Sequence, residues 1–154
     1  TLVGLYDNYL IFINLCRNLI NTVFNALEHS MGDLIATDDK DKIYSVYKSI
    51  NFCVFWLNSF FAIGMFVCLE PVMNIWLGSE FLMGQPVVAV LMVSFYISGM
   101  RRGINIVKTK AGIFHEDRFA PLFEAGINLI GSIILVKFFG ISGIFLGTIL
   151  STLI

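Results

Sequence analysis

Residues 50–69 read INFCVFWLNSFFAIGMFVCL, without a single charged side chain. A helix needs about 20 mostly apolar residues to cross the hydrocarbon core of a bilayer. FLMGQPVVAVLMVSFYISGM at 81–100 is a second such run, and 138–154 is a third. Two weaker runs extend the pattern. Residues 6–28 are mostly apolar but carry Arg17 and several Asn, and 119–139 are mostly apolar but carry Glu124 and Lys137. The pattern predicts an all-α, polytopic bundle of five transmembrane helices, at about 5–34, 41–69, 86–112, 119–138 and 141–154. All five belong to a single transmembrane region spanning 1–154.

Composition agrees. Hydrophobic residues make up 57% of the 154 positions and charged residues only 14%. A soluble domain usually carries about 25% charge, so there is too little here to cover a water-facing surface. Ten Lys+Arg against eleven Asp+Glu, with no basic block, give no electrostatic footprint for nucleic acid. Cys16, Cys53 and Cys68 lie in apolar stretches and suit packed thiols better than a disulfide framework. His29 and His115 stand singly in turns expected to face the cytoplasm, so no metal site is expected. No cofactor motif, nucleophile–base pair, phosphate loop or HExxH occurs, and no enzyme is expected. The opening TLVGLYDNYL has no initiator Met or basic leader, and STLI closes within a helix; the expectation is a fragment of a longer transporter.

The connections differ in composition. ATDDKDK at 36–42 is a polar turn, EPVMNIWLGSEFLMGQ at 70–85 carries Pro71 and an interfacial Trp76, IFHEDRFAP at 113–121 is charged, and GISG at 140–143 is tight. Lys40, Lys42 and Lys48 flank the first connection. Arg101, Arg102, Lys108, Lys110 and Arg118 flank the third. Eight of the ten basic residues therefore lie near connections one and three, which should face the cytoplasm.

The polar face of helix one is the most informative feature. Asn14, Asn18, Asn21, Asn25 and Glu28 are spaced 4, 3, 4, 3 and fall within an arc of about 80°. Asp7 projects onto the same arc, and Arg17 lies at its edge. Amides left against lipid would cost several kcal/mol each (~ by the hydrocarbon reference). The row therefore hydrogen-bonds neighbouring helices, lines a hydrated cavity, or belongs to a helix lying on the membrane surface. In a cavity, amides suit sugar hydroxyls, and the Arg17 guanidinium suits a phosphate.

Other polar positions are secondary. Arg101 and Arg102 lie about two-thirds of the way through helix three, placed to snorkel to headgroups or to collect an anionic headgroup. On helix four, Glu124, Asn128 and Ser132 recur every four residues on one side. Glu124 could pair with an Arg, couple to protons or hydrogen-bond a neighbouring helix. Gly143 and Gly147 form a small-xxx-small face on helix five, suited to close helix approach.

Several blocks carry a family resemblance. GLYDNYLIFIN (4–14), MGDLIATDDKDK (31–42), NFCVFWLNSFF (51–61), EPVMNIWLG (70–78), SGMRRGIN (98–105) and GIFHEDRFAPLFEAGINLIGSIILVKFFGISGIFLGT (112–148) follow one another in order. Together they resemble polysaccharide transporters, the O-antigen and capsule repeat-unit flippases of the multidrug/oligosaccharidyl-lipid/polysaccharide exporter superfamily. The resemblance covers nearly the whole chain. It implies two six-helix bundles around a central cavity in the bacterial inner membrane, with this chain as the second bundle without its first helix. It also implies transfer of a polyprenyl-diphosphate-linked oligosaccharide from the inner to the outer leaflet. Only the idea of cavity-lining Arg and Asn carries over, onto Arg17 and the helix-one row. A polysaccharide polymerase would need a larger polar outer loop than 70–85, which holds only Glu70 and Glu80. A multidrug exporter of the same superfamily should present acids to cationic drugs, whereas Arg17, Arg101 and Arg102 fit an anionic headgroup.

Overall fold

The computed structural model describes residues 2–35, 40–110 and 119–153; within these, the side chains of 2, 3, 27–35, 40 and 110 are left aside. The described residues form an all-α bundle: α1 (Leu2–Ile35), α2 (Lys40–Leu77), α3 (Gln85–Lys110), α4 (Ala120–Phe139) and α5 (Ile141–Leu153). A single 3-10 turn, Ser79–Phe81, lies between α2 and α3. Of the turns expected at 36–42 and 113–121, residues 36–39 and 113–118 fall outside the described residues, as do the side chains of Glu28 and His29; residues 40–42 belong to α2.

Among the described residues, three helices are long and apolar enough to cross a membrane: Asp41–Leu77, Gln85–Thr109 and Ala120–Phe139. Five spans were expected. α1 has 34 residues, ample length, but its asparagines lower its apolar character. The 13 described residues of α5 reach about 20 Å, short of the ~30 Å hydrocarbon core.

The second helix runs further than its sequence predicts. It continues through Pro71 to Leu77, where a connection was expected from residue 70. Proline removes one backbone hydrogen bond and crowds the preceding turn. Packing holds the helix beyond it: Met73 is fully buried, and Trp76 meets Phe12 of α1 edge-on at 5.8 Å.

The core lies among α1, α2 and α3. α2 presents Ile50, Val54, Asn58, Ala62, Met65, Leu69 and Met73, a buried stripe at helical spacing. α3 answers with Val88, Leu91, Met92, Phe95 and Ile106, and α1 with Tyr9, Ile13, Ile20 and Phe24. The Tyr9 hydroxyl accepts a hydrogen bond from the Met83 N–H at 3.2 Å, tying α1 to the α2–α3 connection. Large apolar side chains such as Phe52, Trp56, Phe60, Ile63 and Phe66 stay exposed on α2, as on a helix facing lipid.

Two close approaches fix the helix pairing. Gly99 and Gly103 of α3 face Asn58 and Asn51 of α2, and a Cβ at either glycine would collide with the facing amide. Asn58 is buried, and its Nδ2 donates to the Val54 carbonyl at 2.8 Å, so its amide is held in place. On the other side of the bundle, a Cβ at Gly143 would strike the Leu135 backbone, and one at Gly147 would strike Ser132. The small-residue face expected on helix five is therefore its contact with α4. Gly140 joins these two helices at φ 59, a left-handed value that a Cβ-bearing residue rarely adopts. α3 also packs on α5, so it is the central helix of the bundle.

Candidate functional site

The site is assembled from polar side chains on three helices. α1 supplies Arg17 and Asn21, α2 supplies Asn58, and α3 supplies Ser98, Arg102, Asn105 and Thr109. They line a cavity of about 360 Å³, backed by Ile20, Phe95 and Ile106. Its volume lies at the lower end of the ~300–1,000 Å³ usual for ligand pockets. Among the described residues lining it there is no carboxylate. Two guanidinium groups, with no ion-pair partner among the described residues, make the cavity electropositive.

Each arginine is held differently. The Arg102 Nη1 donates to the Asn21 Oδ1, and its Nη2 donates to the Asn25 Oδ1 at 3.2 Å. Its guanidinium also lies 5.8 Å from the centre of the Phe24 ring. These contacts take two terminal nitrogens and leave Nε buried, with no hydrogen-bond partner among the described residues. Because Asn21 gives its oxygen to Arg102, its two N–H donors remain for a guest. Arg17 lies 6.0 Å from the Phe95 ring centre and has no ion-pair partner among the described residues. It is exposed and accessible from the cavity.

The asparagine row of α1 does not converge as a unit. The buried face of the helix, Tyr9, Ile13, Ile20 and Phe24, points about 110° away from the row. Asn14, Asn18 and Asn25 are exposed, and Asn21 is half-buried. Arg17 projects between the row and the buried face. Asn21 and Asn25 meet α3 through Arg102, whereas Asn14 and Asn18 lie outside the cavity lining. Asp7 is exposed on the same helix.

The secondary positions divide. Arg101 pairs with Glu124 of α4 at 2.5 Å, both about one-third exposed. Of the three roles open to Glu124, the structure displays pairing. Asn128 serves the α4–α5 contact: its Nδ2 donates to the Thr148 hydroxyl at 3.3 Å, and its Oδ1 accepts from Ser132 at 3.1 Å.

Two features of the site escaped the sequence reading. Ser98, Arg102, Asn105 and Thr109 are spaced 4, 3, 4, the same spacing that marked helix one, and they share one face of α3. Asn58 was hidden inside the apolar run 50–69; its signal is its partner, the Gly99-xxx-Gly103 pair that lets α2 and α3 approach. No family model, curated protein or solved structure matches the chain.

Proposed function

We propose that this chain is part of a flippase in the bacterial inner membrane, moving polyprenyl-diphosphate-linked oligosaccharide from the inner to the outer leaflet. The observation that carries the reading is the electropositive cavity between α1, α2 and α3, where Arg17 and Arg102 stand among amides and hydroxyls, with no acid among the described lining residues. A diphosphate and its sugars cannot enter hydrocarbon unaided, because the cost of losing their hydration is large. Forked guanidinium donors replace water around the phosphate oxygens. The Asn21, Asn58, Ser98, Asn105 and Thr109 side chains offer the mixed donors and acceptors that sugar hydroxyls need. Alternating access would come from rocking this bundle against the remainder of the transporter.

The test is Arg17→Ala in a cell that depends on this protein for surface polysaccharide. The expected result is loss of surface polysaccharide, normal insertion of the protein, and lipid-linked repeat units trapped at the inner leaflet. Normal polysaccharide output removes Arg17 from the mechanism. Single unpolymerised repeats accumulating outside would favour a polymerase instead.

A further inference from the structure

The two consecutive arginines of α3 serve opposite sides of the bundle. Arg102 reaches α1, where it donates to Asn21 and Asn25. Arg101 reaches α4, where its Nη1 donates to the Glu124 Oε1 at 2.5 Å. A second polar cavity, of about 360 Å³, opens around that pair. Ser98, Arg101 and Asn105 of α3 line it, with Ala120, Pro121 and Glu124 near the start of α4 and Thr152 of α5. Ser98 and Asn105 also line the cavity shared with α1 and α2, so the two spaces meet along them. At about 100° per residue, Ser98 and Asn105 lie nearly in line along α3, with Arg101 on one side of that line and Arg102 on the other. A guest held on this line is flanked by both guanidinium groups. Among the described residues lining the two spaces, three arginines stand with a single acid, Glu124.

We propose that Glu124 masks Arg101 while the cavity is empty, and that the diphosphate of a lipid-linked sugar displaces it, drawing Arg101 to the Ser98–Asn105 line opposite Arg102. The inference rests on the anion-binding reading of the polar cavity and adds how that site is regulated. The geometry suits a reversible mask. Glu124 meets the guanidinium through one oxygen and one nitrogen, whereas a diphosphate offers several oxygens to the same fork. The pair is partly exposed, so it is weak enough to exchange. The cavity around Glu124 gives the released carboxylate room for water. The exchange also has a mechanical consequence. α4 packs mainly on α5, and the Arg101–Glu124 pair tethers the start of α4 to α3. Loading the cavity removes that tether, so the start of α4 loosens from the central helix only when an anion is bound.

The experiment uses the full-length protein in nanodiscs of phosphatidylcholine, titrated calorimetrically with inorganic diphosphate and with a short prenyl diphosphate. Glu124→Gln should tighten binding of both by about 1.5- to 5-fold, the size set by a partly exposed ion pair. Arg101→Ala should weaken binding and abolish that gain, because nothing remains to unmask. A gain that persists without Arg101 would mean that Glu124 acts through its charge alone, and would overturn the mask. A gain confined to inorganic diphosphate would overturn a lipid-borne anion as the displacing group. Spin labels at the exposed positions Ile104 of α3 and Leu122 of α4, with the native cysteines replaced, give a readout that leaves Arg101 and Glu124 intact. Saturating diphosphate should shift their separation to longer values, and Glu124→Gln should show the shift before ligand is added. An unchanged separation, or equal affinities in wild type and both variants, would overturn the exchange while the site at Arg17 and Arg102 stands. Failure of wild type to bind either diphosphate would overturn the anion site and this inference together.

Discussion

Gly99→Ala is the sharpest test of how the cavity wall is built. The added Cβ would land on the Asn58 amide, which is buried and bonded to the Val54 carbonyl at 2.8 Å. Forcing an extra carbon into such a contact costs about 1–3 kcal/mol. Displacing the amide forfeits a hydrogen bond of about 1 kcal/mol. Alanine recovers about 1 kcal/mol of helix propensity over glycine. Crowding therefore wins, and Gly99→Ala should destabilise by about 1–3 kcal/mol overall. Asn58→Ala removes the obstacle. In the double variant Gly99→Ala should cost nothing and recover its propensity gain, a coupling of at least about 1 kcal/mol between the two sites. Reversible unfolding of the purified protein in mixed micelles, followed by helical circular dichroism across a denaturing-detergent titration, measures all four corners of the cycle. Additive effects, within about 0.5 kcal/mol, would refute the claim that the amide and the glycine are in direct contact.

Arg102→Lys keeps the charge but cannot span the Asn21 and Asn25 oxygens with a fork, so diphosphate affinity should fall by about tenfold or less while Arg102→Ala loses more. Equal binding by all three proteins, measured by calorimetry, would show that Arg102 does not touch the anion. The Arg101–Glu124 pair is partly exposed, so a double-mutant cycle should give only about 0.2–1 kcal/mol, and exchanging the two residues should restore most of it. A coupling several times larger would mean the pair is sealed from water. Gly147→Leu should separate α4 from α5, because even a Cβ there strikes Ser132; a disulfide trap between the two helices should then form more slowly, and an unchanged rate would contradict the close packing.

The resemblance between prediction and structure is greatest where one helix is enough. The apolar run 50–69 sets a helix whatever its neighbours do, and Gly140 with its left-handed φ breaks the chain between α4 and α5 where the sequence places a turn. The Gly143–Gly147 face was legible too, since small residues four apart have few reasons other than close approach. Pro71 misled because its local cost is evident in sequence, whereas the burial of Met73 and the Phe12–Trp76 contact that outweigh it are not. Asn128 shares a polar face with Ser132, and only the structure showed that this face meets Thr148 on the following helix.

The sequence by itself determined the helices and the amphipathic character of α1, because both follow from the order of side chains along one axis. Only tertiary structure decided how α1 is rotated: it turns Ile13, Ile20 and Phe24 inward and leaves most of its amides outside. Periodicity fixes which residues share a face but not which neighbour that face meets. That choice comes from shape complementarity between distant positions, such as Asn58 against Gly99 and Asn21 against Arg102, where steric fit and paired hydrogen bonds select one arrangement among many that the same helices could form.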